Sequence, residues 1–424
     1  MGARVLIVAV AASAALAYGC EKVSTKYCKT HSDVPNCGYQ DAGVDAPPPC
    51  MTDMDCKTAG LMRCDVSAGM CVQCLSGSDC SGSNAICNTG THMCTGCVTN
   101  ADCLTSDTCL LNGTCADTAA VVYVDGSAGS NTGTCLKATP CKTITFAQTV
   151  AGGRVIYKLA NTITDFVVLP ASSITLIGDP GSKVTNTTMD VFTAVAGTDV
   201  TMINVTADCG SAAKNGINSM AATLRLHHTT VTNCGMTGIV TAMSNTLDMY
   251  ACTIIGNAGG GVKADKATSI DIENSFIVQN GTTAAGNIGG FSWPATSAGN
   301  NVFQFNTVVD NAIMNPDGTH AAGITCAALN SLAMPNNIVA RNIGPAGSAN
   351  TILTGCDVSG SLTDVTNVHF VHDSGAPYNY HLLSTSTGAI DQAPDGSPQI
   401  DTDVDGQHRP FGSGKDYGAD EYTP

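Results

Sequence analysis

Four successive lines of the sequence decide the fold. They are Val200-Thr-Met-Ile-Asn-Val-Thr-Ala-Asp-Cys-Gly210, Leu224-Arg-Leu-His-His-Thr-Thr-Val-Thr-Asn-Cys-Gly235, Leu247-Asp-Met-Tyr-Ala-Cys-Thr-Ile-Ile-Gly-Asn257 and Ile270-Asp-Ile-Glu-Asn-Ser-Phe-Ile-Val-Gln-Asn-Gly281. Each alternates apolar and polar residues, then has a short apolar pair, then Asn or Asp, and usually Gly. The marker recurs at Asp208, Asn233, Asn257, Asn280, Asn311 and Asn342, at spacings of 25, 24, 23, 31 and 31 residues. A fixed period with strand-type alternation means a repeat architecture.

Each strand is too short to bury a face alone, so the coils must stack in parallel, at about 4.8 Å, over a common core. Asn suits the corners because it tolerates left-handed backbone and its amide bonds the Asn above and below. The expected fold is all-β, a right-handed parallel β-helix (a single-stranded solenoid) preceded by a small disulfide-rich repeat region. Over residues 120–424 the chain resembles the pectate-lyase-like β-helix superfamily. That resemblance implies a fold and leaves the activity open.

Composition bounds the function. Charged residues make up 12% of the 424, aromatics 5%, and 45 are Gly, which fits a stacked β-solenoid better than a helical protein. A net charge of −16 excludes nucleic acid as a partner, and it repels acidic polymers unless calcium bridges them. No nucleotide fingerprint or phosphate loop is present. Twenty-two cysteines imply an oxidising compartment.

Residues 1–19 read as a signal peptide, with Arg4 followed by a short apolar run from Val5 to Ala17. Leu16-Ala17-Tyr18-Gly19-Cys20 resembles a bacterial lipoprotein signal, which implies lipidation of Cys20, a lipid anchor in the membrane, and an outer-membrane or cell-surface address. Residues 20–49 form a tether with Cys28, Cys37 and a proline run before Cys50.

Residues 50–118 hold three cysteine-rich modules of four cysteines each, starting at Cys50, Cys74 and Cys97. Each opens Cys-x5-Cys, with Asp55, Asp79 or Asp102 just before the second cysteine. Four cysteines in about 20 residues replace a hydrophobic core by staples. Zinc is the rival reading of Cys-x2-Cys, but those pairs straddle module boundaries, and an exported chain favours disulfides. The pattern resembles repeated modules of bacterial surface proteins and, distantly, the Dickkopf amino-terminal module, which implies stalk or protein-binding units.

Residues 119–424 form the β-helix. Cys135 and Cys141 are expected to close a loop, and Thr143 to Ala151 to form a helix capping the open end of the solenoid. Cys209 and Cys234 hold equivalent places on successive coils, within disulfide reach. Cys326 and Cys356 are a second such pair, and Cys252 is an inward free thiol. The tail Asp401-Thr-Asp-Val-Asp-Gly-Gln-His-Arg-Pro410, then Asp416-Tyr-Gly-Ala-Asp-Glu421, resembles the carboxy-terminal signature of surface β-helix proteins.

Three places offer chemistry. Between the inward residues of adjacent coils, Arg225 and His227, Asp248 and Tyr250, and Asp271 and Glu273 face outward. Asp248 and Asp271 one coil apart would suit a glycosidase pair, and the carboxylates with Arg225 would suit a calcium-dependent lyase. The arginine-proline motif of lyase families is missing, and a charge ladder on a solvated sheet has the same pattern. His228 is read as an inward corner histidine. Asp401, Asp403 and Asp405 have the spacing of half a calcium loop, but Gly412 stands where an EF-hand needs Glu. The alternative there is a closing turn with Arg409 paired to Asp416 or Glu421. Trp293, the only tryptophan, lies in a long insert where an exposed ring would stack on sugar. The expected function is a surface binding protein directed at a polysaccharide or another protein, with a polysaccharide lyase or glycoside hydrolase as the alternative.

Overall fold

The computed structural model describes residues 49–80, 86–243, 245–282, 288–294, 301–314, 320–326, 332–345, 352, 356–394 and 400–424. The chain divides into two compact units, Met1–Gly96 and Cys97–Pro424. The signal, Cys20, Cys28 and Cys37 lie outside the described residues.

Met1–Gly96 contains the first two cysteine modules. Each pairs its first cysteine with its third and its second with its fourth: Cys50–Cys64 with Cys56–Cys71, and Cys74–Cys87 with Cys80–Cys94. The Asp before the second cysteine has a physical reason. Asp55 accepts the backbone N–H groups of Met51 and Thr52, at 2.9 and 2.8 Å, and Asp79 does the same for Leu75 and Ser76. These carboxylates cap a single 3-10 turn that sets the next cysteine in place.

The third module, Cys97–Cys109 and Cys103–Cys115, repeats the pairing but belongs to the second unit. Its Asn100 amide donates to Gly178 O at 3.1 Å, and Tyr123 Oη donates to Ser106 O at 2.9 Å. The third module therefore packs with the chain that follows it.

Among the described residues, the chain from Val121 to Ala340 forms a right-handed parallel β-helix with three large sheets. Sheet A has eight strands, among them Asp199–Ile203, Thr223–His227, Asn245–Tyr250, Ala267–Glu273 and Val302–Gln304. Sheet B has eight, including Thr253–Ile255, Phe276–Val278, Thr307–Val309 and Ile338–Ala340. Sheet C has seven, including Gly260–Lys263, Phe291–Trp293 and Ile324–Cys326. Leu224, Leu247 and Ile270 stand in register, as do Leu226, Met249 and Ile272, and all six are at most 1% exposed. Each such side chain contributes about 1.5–3 kcal/mol by leaving water. The helix Ile144–Val150, capped by Thr143, buries Ile144 and Ala147 against the first coils.

Two internal ladders bind the corners. In the first, the side-chain Nδ2 of Asn257, Asn280 and Asn311 each donates to the Oδ1 of the Asn one coil on, at 3.0, 3.1 and 2.9 Å, ending at Asn342. The Cys209–Cys234 disulfide occupies the preceding places in this same line, since Cys234 N donates to Asn257 Oδ1. Asn233 is therefore one residue ahead of the ladder, a correction to the spacing read from sequence. The left-handed backbone belongs to that preceding position: Asn233, Gly256, Gln279, Asp310 and Arg341 have φ of 55°, 69°, 57°, 56° and 56°. The second ladder runs through Cys252, Ser275, Asn306, Asn337 and Ser361. Cys252 is buried and free, and donates to Leu226 O.

Sheet B becomes apolar on both faces along the solenoid. Thr206-Ala-Asp208 and Thr230-Val-Thr232 give way to Phe276-Ile-Val278 and Ile338-Val-Ala340. The chain after Leu362 explains the change. Val368, Phe370, Tyr380, Leu382, Ala389, Val404 and Ala419 pack on the outward side of Phe276, Val278, Val309 and Ile338 as a second core.

Within this C-terminal segment Arg409 is fully buried and pairs with the equally buried Glu421 at 3.0 Å. The guanidinium also donates to Asp416 O and Gly418 O and lies over the Phe305 ring. Gly418 has a φ of +90°, and a Cβ there would meet Thr307 Oγ1 at 2.6 Å, so no other residue fits the contact.

Candidate functional site

The outward face of sheet A carries the residues that alternation aims away from the core. Arg225, Asp248 and Asp271 are cross-strand neighbours, and so are His227, Tyr250, Glu273 and Gln304. Arg225 Nε donates to Asp248 Oδ2 at 2.8 Å, and His227 Nε2 lies 3.8 Å from Asp248 Oδ1. Gln304 donates to Glu273. Burial works to raise the Asp248 carboxyl, but His227 and Arg225 outweigh it and hold it below the usual range. Burial raises Asp271, with Asp248 adding repulsion. Burial also raises Glu273, partly offset by the bond from Gln304. The strip is thus a charge ladder in which the Arg225 guanidinium pairs with Asp248.

A cleft of about 350 Å³ lies around the corner from this strip, between sheet B and the C-terminal segment. Phe276, Tyr378, Asn379, His381, Asp405 and His228 are among its walls. His228 does not turn inward: it has φ +48°, is exposed, and opens onto this cleft. The strand ends at His227, and the left-handed backbone at His228 breaks the alternation that would have carried its ring inward. Tyr380 is held rigidly, donating to Asp310 Oδ2 at 2.7 Å and accepting from Gln279. Burial and Asp310 push its phenol well above the usual range. Tyr378 stacks on Tyr380 with ring centroids 6.3 Å apart.

The three tail aspartates part company. Asp403 is buried and spends its oxygens on the backbone N–H groups of Asp405, Gln407 and Glu421. Asp401 is exposed and accepts no such set of bonds among the described residues. Asp405 turns to His381, with Oδ2 at 2.9 Å from Nε2. His381, Asp405 and Asp420 each offer an atom within 4.8 Å of the others, whereas Asp401, Asp403 and Asp405 form no such group. Spacing along the chain suggested the second grouping, while folding of Asn379–Leu382 beside the tail produces the first. His381 and Asp420 were missed as a site. The signal was the alternation Tyr378-Asn-Tyr-His381, four polar or aromatic residues in a row.

Trp293 is not a surface aromatic. It is 1% exposed in the strand Phe291–Trp293, and its indole N–H donates to Ala267 O at 3.0 Å. The insert around it is long, but the ring itself fills the solenoid.

No family model and no curated protein sequence matches this chain. Among solved structures, the crystal structure of pectate lyase Pel9A is similar at 13% identity, covering 72% of this chain and 96% of that chain with a TM-score of 0.38. At that score the likeness carries no argument, and the fold rests on the parallel sheets themselves. The nine disulfides among the described residues point to an exported or extracellular protein. No described helix is long and apolar enough to cross a membrane.

Proposed function

We propose that the protein is an exported surface protein that binds a glycan in the cleft between sheet B and the C-terminal segment. The observation that carries the reading is the wall of that cleft: the Tyr378 ring backed by the immobilised Tyr380, with Phe276 beside polar groups of Asn379, His228 and Asp405. A pocket of this volume holds one or two sugar rings, and aromatic rings with a few fixed polar groups are what a sugar's apolar face and hydroxyls need. Residues 1–19 direct export in this reading, and lipid on Cys20 holds the chain at the cell surface. The cysteine modules then act as a stalk.

One observation favours the alternative, a polysaccharide lyase or glycoside hydrolase on sheet A. Asp248 sits low while Asp271 and Glu273 sit high, the split that separates a base or nucleophile from an acid. Against it, the Arg225 guanidinium already pairs with Asp248 at 2.8 Å.

The test is a glycan array with the full chain, followed by titration of any hit. Tyr378→Ala is expected to weaken that hit at least tenfold. The same glycans are assayed for unsaturated products and new reducing ends, with and without calcium. Turnover lost in Asp248→Asn or Asp271→Asn would replace the binding reading by the enzymatic one. Binding indifferent to Tyr378→Ala would remove the cleft.

A further inference from the structure

We propose that His381, Asp405 and Asp420 form a site for one divalent transition ion of the Zn²⁺ or Mn²⁺ class at the edge of the cleft. The argument starts from the histidine's tautomer. Asn379 Oδ1 accepts the backbone N–H of His381 at 3.0 Å, so that atom is an acceptor, and the adjacent His381 Nδ1 must donate to it. In the neutral ring the lone pair is then on Nε2. That atom is buried and makes no well-directed hydrogen bond, although Asp405 Oδ2 lies 2.9 Å away. Beside these carboxylates that nitrogen carries a proton and pairs with Asp405, or gives up the proton for a metal ion. One atom from each of the three side chains lies within 4.8 Å of the others, close enough for one ion to take all three.

Asp420 supplies the second observation. It is only 5% exposed, and among the described residues its one hydrogen bond is from Leu382 N–H, at 2.6 Å. A carboxylate so buried asks for compensating positive charge. Arg409 is committed to Glu421, so the positive charge beside Asp420 is the His381 ring or an ion that replaces its proton. The arrangement of an imidazole oriented by a carboxamide oxygen, with two carboxylates beside it, is that of a metal-binding histidine with its supporting acceptor. Imidazole with carboxylate selects zinc or manganese over calcium, which takes six to eight oxygens. Three protein ligands leave coordination positions for water or for hydroxyls of a molecule in the cleft.

The ion is tested alone, so the outcome is independent of the glycan reading. Tag-free full chain is stripped with a chelator, kept oxidised so that the cysteine modules offer no thiolates, and titrated with Zn²⁺, Mn²⁺ and Ca²⁺ by calorimetry. One Zn²⁺ per chain is expected, bound at least tenfold more tightly than Ca²⁺. His381→Gln and Asp405→Asn should each weaken Zn²⁺ at least thirtyfold with an unchanged circular dichroism spectrum. Asp405 is the safer variant, because its described side-chain partner is His381 alone. The exposed Asp364→Asn serves as the control that leaves binding intact. No saturable site at one per chain, or a site unmoved by both variants, overturns the proposal.

Discussion

Removing the Arg409 side chain should release the C-terminal segment from the solenoid. In the folded chain the guanidinium pairs with Glu421 Oε2 at 3.0 Å, both side chains are fully buried, and two further donations go to Asp416 O and Gly418 O. Arg409→Met keeps most of the volume over Phe305 but leaves the Glu421 carboxylate buried with no cation. Breaking one side of a buried pair costs about 3–5 kcal/mol. The pair itself contributes far less than that figure, because both charges were desolvated to form it. The double variant Arg409→Met with Glu421→Gln should therefore recover more than half of the loss. The segment docks on Phe276, Val278, Val309 and Ile338, so the effect is local. Native-state hydrogen exchange at Phe411 N–H, which donates to Glu421 Oε1 at 2.7 Å, is the direct readout. Its protection should fall by roughly two to three and a half orders of magnitude, while amides of Leu224 and Leu247 stay protected. Protection unchanged in the single variant, or no recovery in the double, would refute the view that this pair clamps the segment.

Asn280→Ala removes the partners of Asn257 N–H, Asn257 Nδ2, Ile254 O and Asn311 Oδ1, all buried, and should cost on the order of 3–5 kcal/mol by denaturant unfolding. Replacing both Cys209 and Cys234 by Ser opens a link across 25 residues and should cost about 3 kcal/mol, read as a lowered midpoint with the fold retained by circular dichroism. Burial pushes Asp416 up to about 7, so its contribution to stability is full below its ordinary range near pH 4 and is lost as pH rises through 7. Asp405 raises His381, which acts in the same direction, so thermal stability of the C-terminal segment in the chelator-stripped chain should fall between pH 5 and 8. A flat or rising profile would contradict the burial argument. Asp271→Asn should leave stability at pH 7 unchanged or slightly improved, because it removes a carboxylate that both burial and Asp248 disfavour.

The repeat was legible because a solenoid writes its core locally. Leu224, Leu247 and Ile270 each follow from alternation within one line, and the period alone then stacks them. Cys209 with Cys234 was readable for the same reason, since equivalent places on adjacent coils are neighbours. The one-residue slip at Asn233 shows the limit of that reasoning. The corner has a left-handed residue followed by a ladder residue, and Asn suits both roles, so composition did not separate them.

What lay across the fold was hidden. The sequence by itself determined an export-compatible, disulfide-stapled chain with a parallel β-helix and its inward face. Tertiary structure decided that the outward apolar face of Phe276–Val278 is covered by the tail, that Trp293 is core, and that Asp405 meets His381 and Asp420 instead of Asp401 and Asp403. The reason is physical: inward alternation is set by neighbours two residues away, but the partners of a buried carboxylate are set by which distant segment excludes water from it. Asp403 satisfies nearby backbone N–H groups, while Asp420 finds Leu382 and the His381 ring from 38 and 39 residues away, contacts that exist only once the C-terminal segment has folded back onto sheet B.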